Sequence, residues 1–153
     1  MTNSVLRVPY PPAAEAAAHF AATLGFETDV SDVHGALEAG RPGFVLLDVR
    51  GRTGWDAGHV PQARHLPTDE IPSRARRELD VDVPLVTYCW GPGCNGATRA
   101  ALLLAREGFR VKTMIGGMEY WIREGLQVRT AAGVVRMPAD PLTVPGDLTG
   151  CAC

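Results

Sequence analysis

The residues with the clearest chemical potential are two cysteines in one short loop, Cys89 and Cys94. Cys89 ends an apolar run, residues 85–88, and a loop rich in Gly and Pro follows it. Residues 97–104 then contain strong helix formers and no helix breaker, which predicts a helix. A thiol between a strand and a helix N-terminus lies beside free backbone N–H groups, which lower its pKa. Cys89 is therefore predicted to be a thiolate nucleophile.

The loop after Cys89 is expected to hold this thiolate with backbone amides rather than with a cation. No Lys or Arg occurs between Cys89 and the predicted helix. The indole of Trp90, in a glycine-rich loop, is expected to be exposed and to control substrate access. The amides predicted to surround the thiolate belong to Trp90, Gly91, Gly93, Cys94, Asn95 and Gly96.

Composition limits the class of protein. The chain has 153 residues, 46% of them hydrophobic and 21% charged, which suits one soluble globular domain with a substantial core. The net charge of −2 argues against nucleic acid or an anionic membrane as the main partner. No apolar run approaches the roughly 20 residues that span a bilayer, and the N-terminal residues do not resemble a signal peptide. The protein is predicted to be cytoplasmic.

The remaining cysteines, Cys151 and Cys153, lie at the C-terminus. Structural disulfides are rare in a reducing compartment, so reactive or metal-binding roles are favoured for the cysteines. The spacing C-x4-C plus a distant C-x-C does not match the usual zinc knuckle, so zinc is not favoured. No metal and no cofactor is predicted.

Helical and strand patterns alternate along the chain, which predicts an α/β fold around a parallel sheet. An alanine-rich helix follows Pro12, and Ser31 or Asp32 is expected to cap the next helix. Strands are predicted at 27–30, 44–49, 63–66, 85–89 and 109–114, and helices at 13–25, 32–39, 71–79, 97–107 and 118–124. The predicted organisation is a helical extension over 1–26, a domain over 27–128, and an extended tail over 129–153 that ends in Cys-Ala-Cys.

Three motifs in order resemble the single-domain rhodanese-like sulfurtransferases. Residues 46–50, LLDVR, and 55–67, WDAGHVPQARHLP, resemble the first family signature. Residues 87–89, TYC, with the loop and helix that follow, resemble the active-site strand and loop. Residues 108–128, GFRVKTMIGGMEYWIREGLQV, resemble the closing motif.

The resemblance implies a doubly wound, mainly parallel five-stranded sheet flanked by helices. It also implies that Cys89 takes sulfane sulfur from a donor as a persulfide and passes it to a thiophilic acceptor. The expected partners are a small donor (thiosulfate, polysulfide or persulfide), a thiol acceptor and, as an assembly, a homodimer. The alternative is a non-catalytic binding or redox-sensing module that uses the Cys89/Cys94 pair.

The loop departs from the family pattern, in which an Arg lies five positions after the cysteine. Cys94 occupies that position, and the loop is about two residues longer than usual. Phosphatases that share this scaffold need an Arg six positions after the cysteine, where this chain has Asn95, so phosphatase chemistry is disfavoured. An alternative alignment takes Cys94 as the family cysteine, because Arg99 then lies five positions after it. This alignment would begin the helix about four residues late. Cys89 is the favoured nucleophile.

Cys94 and the terminal cysteines each have two readings. Cys94 is either a small loop residue without chemistry or a resolving thiol that attacks a Cys89 persulfide or closes a disulfide. Cys151 and Cys153 are either incidental or a relay on a tail long enough to reach the site.

Two arginines are candidate substrate contacts. Arg50 either pairs with Asp48 or contacts an anionic donor. Arg99 is either a solvated helix position or the nearest cation downstream of the loop. Asp48 is expected to accept hydrogen bonds from loop amides, and His59 to be structural.

Overall fold

The computed structural model describes residues 3–143, and five parallel strands form its central sheet. The spatial order is β1-β5-β4-β2-β3, and every pair of neighbours is parallel. The predicted α/β architecture is therefore confirmed. The strands are β1 (Glu27–Thr28), β2 (Val45–Asp48), β3 (Arg64–His65), β4 (Leu85–Tyr88) and β5 (Val111–Met114).

Six α-helices accompany the sheet within the described residues, together with 3-10 turns at Ser4–Leu6 and Thr68–Glu70. The cap of the second helix differs from the prediction. Asp29, rather than Ser31 or Asp32, is the N-cap, and its Oδ1 accepts a hydrogen bond of 2.8 Å from the amide of Asp32. The helices are α1 (Ala13–Phe26), α2 (Val30–Glu38), α3 (Arg52–Ala57), α4 (Ile71–Glu78), α5 (Gly96–Arg106) and α6 (Gly117–Arg123).

Alternation along β4 divides the core between the two faces of the sheet. Leu85 packs in the cluster that α4 and α5 cover, whereas Val86 and Tyr88 pack in the cluster that α2 and α6 cover. Successive side chains of a strand point to opposite faces. Cys89 continues the alternation and joins the cluster on the α5 side, so the strand itself aims the thiol at the start of α5.

The N-terminal helix α1 lies outside this core. It runs along β1 and β5, but none of its residues is buried. Phe20 is 63% exposed, and Leu24 and Phe26 are also exposed. An added N-terminal helix is present as predicted, and the core is built without it.

The structure differs from the predicted extended tail, residues 129–153, at its first residues, because residues 128–135 are ordered as strands. These residues form an antiparallel hairpin of β6 (Val128–Thr130) and β7 (Gly133–Val135). Gly133 adopts a φ of +117°, which favours glycine, in the turn. The amide of Arg129 donates to the carbonyl of His59 at 2.8 Å and so anchors the hairpin to the domain. In residues 3–143 no helix is long and apolar enough to cross a membrane.

Candidate active site: a dithiol loop at the end of β4

The loop between β4 and α5 is anchored at both ends. The hydroxyl of Thr87 in β4 donates to the carbonyl of Ala97 in α5 at 3.0 Å. The amides of Met118 and Glu119, at the start of α6, donate to the carbonyls of Cys89 and Trp90 at 2.9 and 2.8 Å. These contacts join the loop to both neighbouring helices and hold its backbone in one conformation.

Gly117 makes the approach of α6 possible. It has a φ of +59°, and a Cβ there would lie 2.7 Å from the Cys89 carbonyl oxygen and 2.8 Å from the Gly91 nitrogen. Only glycine combines this conformation with that clearance. The Gly116-Gly117 pair lies within the closing motif, but nothing in the sequence pattern indicates that it supports the active loop.

The two loop cysteines are in direct contact. Their sulfur atoms lie 2.6 Å apart, and both are free thiols. Cys89 is only 7% exposed, whereas Cys94 is half-buried. Gly96 allows this approach, because a Cβ there would lie 2.6 Å from the Cys89 sulfur and 3.3 Å from that of Cys94. The arrangement is a hydrogen-bonded dithiol at the N-terminus of α5.

The thiols differ in pKa, and the order is opposite to the prediction. Burial, followed by the hydrogen bond with Cys94, raises the pKa of Cys89 to about 11. Burial raises the pKa of Cys94 as well, but the hydrogen bond from Cys89 and the amides of Gly96 and Trp90 outweigh it, so the pKa of Cys94 lies below its ordinary value. The lowered pKa predicted for Cys89 is therefore found at Cys94, which accepts a hydrogen bond from the Cys89 thiol.

Fewer loop amides act on the sulfur atoms than the sequence predicts. Among the described residues, the amides of Trp90 and Gly96 act on the sulfur atoms. The Cys94 amide instead donates to the Gly91 carbonyl at 3.0 Å. This turn places Cys94 against Cys89. The Cys94 amide therefore helps to form the dithiol rather than to surround a thiolate.

Arg50 supplies the positive charge that the loop lacks. Its guanidinium is 3% exposed and holds Asp48 with Nε and Nη2, the latter at 2.6 Å from Oδ2. Nη2 also donates to the Gly58 carbonyl at 2.7 Å, and Tyr88 donates to Asp48 at 2.7 Å. The charge of Arg50 lowers the pKa of Cys89, although less than burial and Cys94 raise it. The predicted pairing of Arg50 with Asp48 is confirmed.

Trp90 covers this arginine and borders the larger of two clefts. Its indole is 54% exposed, as expected, and the Arg50 guanidinium carbon lies 4.6 Å from the ring centroid. Gly54 makes room for the ring, since a Cβ there would lie 2.8 Å from it. The larger cleft has a volume of about 440 Å³ and includes Arg50, Trp90, Cys94 and Glu119 in its lining.

A smaller cleft of about 220 Å³ lies on the other side of the loop and is lined by both cysteines. The two clefts share Gly91 and Cys94. The dithiol therefore lies where they meet, and Cys94 faces both. Nothing in the sequence predicted this division.

Other predicted site residues lie away from the thiols. Arg99 is exposed, donates to the Asn95 side chain at 3.1 Å and lines neither cleft. Asn95 is the N-cap residue of α5, but its side chain makes no capping hydrogen bond. His59 stacks on Trp55 at a centroid distance of 3.4 Å, which fits a structural role. Cys151 and Cys153 lie outside the described residues. Residues 3–143 contain no group of three or more His, Cys, Asp or Glu side chains that could hold a metal ion.

Comparison with known proteins matches this arrangement to one family. The rhodanese-like domain matches residues 29–124. Thiosulfate sulfurtransferase GlpE of Pseudomonas syringae is 38% identical over 80 residues, which cover 52% of this chain and 73% of that protein. The HTH-type transcriptional regulator Rv0324 of Mycobacterium tuberculosis is 37% identical over 97 residues, which cover 63% of this chain. These residues span 42% of the regulator's length.

Solved structures show the same fold. The BH2092 protein of Bacillus halodurans has a TM-score of 0.76 at 38% identity, over 80% of this chain and 89% of that one. A full-length protein of Lactobacillus plantarum has a TM-score of 0.69 at 23% identity and so shares the fold. The match covers 78% of this chain and 99% of that one. The fold is a parallel α/β domain, and here a thiol follows the central strand of its sheet. The chain belongs to the rhodanese-like domain family.

Proposed function

We propose that the protein is a sulfurtransferase that carries sulfane sulfur as a persulfide on Cys89. The observation that carries this proposal is the position of the Cys89 sulfur, which lies against Gly96 at the start of α5 and in contact with a second thiol. Amides at a helix start stabilise an anionic sulfur. The persulfide chemistry attributed to the family requires such a sulfur.

Cys94 provides a path for the proton of Cys89. Because the Cys89 thiol has a high pKa, it must lose its proton before it can attack a donor. Cys94, the thiol with the lowered pKa, already accepts a hydrogen bond from it across 2.6 Å, so its deprotonated form is placed to take the proton. As the Cys89 sulfur attacks, its proton passes to Cys94, and the donor's leaving group departs with the electron pair of the cleaved S–S bond.

The larger cleft favours a donor with an apolar body over a small dianion. The positive charge of Arg50 is paired with Asp48, and Glu119 is paired with Arg123 at 3.2 Å. Among the described residues that line this cleft, a dianion such as thiosulfate meets no unpaired charge, whereas an organic persulfide buries apolar surface. The proposed donors are low-molecular-weight thiol persulfides and polysulfides first, and thiosulfate second. Apolar side chains of the wall include Met118, Ile122 and Val128.

Intact-mass spectrometry of two single variants tests this proposal. Reduced Cys94→Ser protein is incubated with a thiol persulfide or with thiosulfate at about pH 9, where a larger fraction of Cys89 is ionised. The expected result is a gain of one sulfur, about 32 Da, that peptide mapping locates at Cys89. Cys89→Ser is expected to gain none. A gain confined to Cys89→Ser would instead make Cys94 the nucleophile.

A second candidate is a redox-sensing module without sulfur transfer. The contact between the two sulfurs favours it, because a mild oxidant can close the pair into a disulfide without rearranging the loop. The same incubations, with the wild type added and then oxidised mildly, separate the candidates. Absence of sulfur gain from every donor, together with reversible disulfide formation on oxidation, supports the sensor and contradicts the transferase.

A further inference from the structure

We infer that Cys94 is the internal acceptor that removes sulfur from Cys89 as hydrosulfide, leaving a Cys89–Cys94 disulfide that a dithiol reductant must reopen. This inference rests on the proposed persulfide at Cys89. It specifies the product, hydrosulfide, and the chemical class of the partner that completes the cycle.

The loop brings the acceptor to the persulfide without any movement of helices. The two sulfurs lie 2.6 Å apart, and a disulfide bond is shorter by only about half an ångström. The turn closed by the Cys94 amide on the Gly91 carbonyl fixes this approach. Gly96 leaves the space between the sulfurs and the helix open. An attacking thiol held at contact distance has the effective concentration of an intramolecular reactant.

The clefts give the entering and leaving groups separate access. Cys94 lines both clefts, whereas Cys89 lines only the smaller one among those described. Hydrosulfide is small enough to leave through a cleft of about 220 Å³. A reductant, in contrast, must reach a disulfide sulfur, and the half-buried Cys94 is the more accessible of the two. We therefore expect the reductant to attack the Cys94 sulfur.

The atoms and electrons of the cycle balance. With a thiol persulfide as donor, the Cys89 sulfur takes the outer sulfur, its proton passes to Cys94, and a thiolate leaves. The Cys94 sulfur then attacks the inner sulfur of the Cys89 persulfide. A Cys89–Cys94 bond forms, the inner–outer S–S bond breaks, and the departing sulfur takes the proton from Cys94 as hydrosulfide. A dithiol reductant reduces the new disulfide and is itself oxidised to a disulfide.

A single-turnover experiment tests the inference on the full chain. Reduced protein is mixed anaerobically with one equivalent of a low-molecular-weight thiol persulfide and no reductant. The wild type is expected to lose about 2 Da, with a Cys89–Cys94 crosslink in the peptide map. It is expected to release hydrosulfide in the same molar amount. Cys94→Ser is expected to hold the added sulfur, about 32 Da, until an external thiol is supplied.

Two controls exclude other routes to the same masses. Wild type incubated without donor must keep its thiols, which excludes oxidation by residual oxygen. The Cys151→Ser, Cys153→Ser double variant is expected to behave as the wild type does, because Cys94 is the acceptor. A loss of hydrosulfide release in that double variant would overturn the inference in favour of the tail.

The failure of this inference differs from failure of the proposed function. If the wild type holds the added sulfur and forms no crosslink, the inference is wrong and the persulfide at Cys89 stands. If Cys94→Ser gains no sulfur even at about pH 9, where a larger fraction of Cys89 is ionised without the help of Cys94, the proposed function itself is wrong. Equal hydrosulfide release by Cys94→Ser and by the wild type, without external thiol, would also overturn the inference.

Discussion

Gly96 controls how closely the two sulfurs approach. A methyl group at this position would lie 2.6 Å from the Cys89 sulfur and 3.3 Å from the Cys94 sulfur, so the pair must separate in Gly96→Ala. Overpacking of this kind costs about 1–3 kcal/mol, which corresponds to roughly fivefold to 150-fold in rate. We expect diamide to close the Cys89–Cys94 disulfide at least about fivefold more slowly than in the wild type.

Gly93→Ala is the matched control, because it lies in the same loop and has no atom within 4 Å of a built Cβ. It should close the disulfide at nearly the wild-type rate. Equal slowing by both substitutions would indicate that loop flexibility, rather than crowding at the sulfurs, limits the reaction.

The thiol pair makes a prediction about pH. Cys94→Ala removes the hydrogen bond that helps to raise the pKa of Cys89 to about 11, so this pKa should fall, while burial keeps it above the ordinary value. At pH values below 11 a larger fraction of Cys89 is then thiolate. The pH dependence of alkylation by iodoacetamide, followed by peptide mapping of Cys89, measures the change.

In the reciprocal variant, the pKa of the remaining cysteine is expected to shift in the opposite direction. Cys89→Ala removes the thiol that donates to Cys94, so the pKa of Cys94 should rise from its lowered position. If the pKa of the remaining loop cysteine is unchanged in each variant, the two thiols do not share a proton.

At the scale of single residues, the sequence located the chemistry but not its electrostatics. Cys89 is where the strand–loop–helix pattern predicted it, because a strand end and a helix start are encoded by local residues. Its pKa was predicted wrongly, since two effects depend on tertiary structure. The loop turn brings Cys94 onto Cys89, and packing against α5 buries Cys89. Neither effect has a signal in the spacing of the residues.

Among the structural elements, the α6 N-terminus determines the shape of the active loop. Gly117→Ala places a methyl group against the Cys89 carbonyl and the Gly91 amide at a φ of +59°. Strain in such a backbone costs about 1–3 kcal/mol. We expect unfolding in urea at lower concentration and a rate of persulfide formation reduced by about tenfold or more, because the loop carbonyls lose their α6 donors.

Gly35→Ala in α2 is the control for this substitution. A Cβ there meets no atom within 4 Å, and alanine favours a helix, so stability should rise by about 0.5–1 kcal/mol. Persulfide formation should not change. If Gly117→Ala were as stable and as active as Gly35→Ala, the assigned support by α6 would be incorrect.

Most elements were predicted because their signals are local, and the exceptions depend on distant contacts. The hairpin of β6 and β7 is short, and Arg129 is held by His59, which lies far away in sequence. A run of three residues without a clear alternation cannot be recognised as a strand from its own pattern. The cap of α2 was misassigned by two or three residues, because Asp29, Ser31 and Asp32 are all acceptable caps.

At the scale of the whole molecule, stability should reside in the sheet and its covering helices rather than in α1. Trp121 is 1% exposed and donates to the Gln127 carbonyl at 2.8 Å. Trp121→Ala should therefore cost about 3–5 kcal/mol. Phe20→Ala, a large-to-small change on the exposed α1, should stay within about 0.5 kcal/mol. Urea unfolding measures both.

If Phe20→Ala lost as much stability as Trp121→Ala, α1 would be part of the cooperative core. The division of the chain at residues 26 and 128 is a prediction that this pair of variants tests at its first boundary. The homodimer also stays a prediction, which sedimentation velocity can examine directly.

The overall architecture was the most predictable feature, since five strands alternating with helices leave few arrangements of a parallel sheet. The order β1-β5-β4-β2-β3 places β4 at the centre. The clefts were not predictable, because they arise between elements that are separated in the chain. The larger cleft lies where the loop, α3 and α6 meet, and the smaller one lies where the loop meets β1 and β5.

The indole of Trp90 turns the active loop into an optical reporter. It is more than half exposed and stacks near the Arg50 guanidinium, one residue from Cys89. Of the other two tryptophans, Trp121 is buried and Trp55 is stacked between His59 and His65. A change of charge or bonding at the dithiol alters the surroundings of Trp90 first. Each turnover can therefore be followed by intrinsic fluorescence in a stopped-flow instrument, without a label, and Trp90→Phe provides the blank.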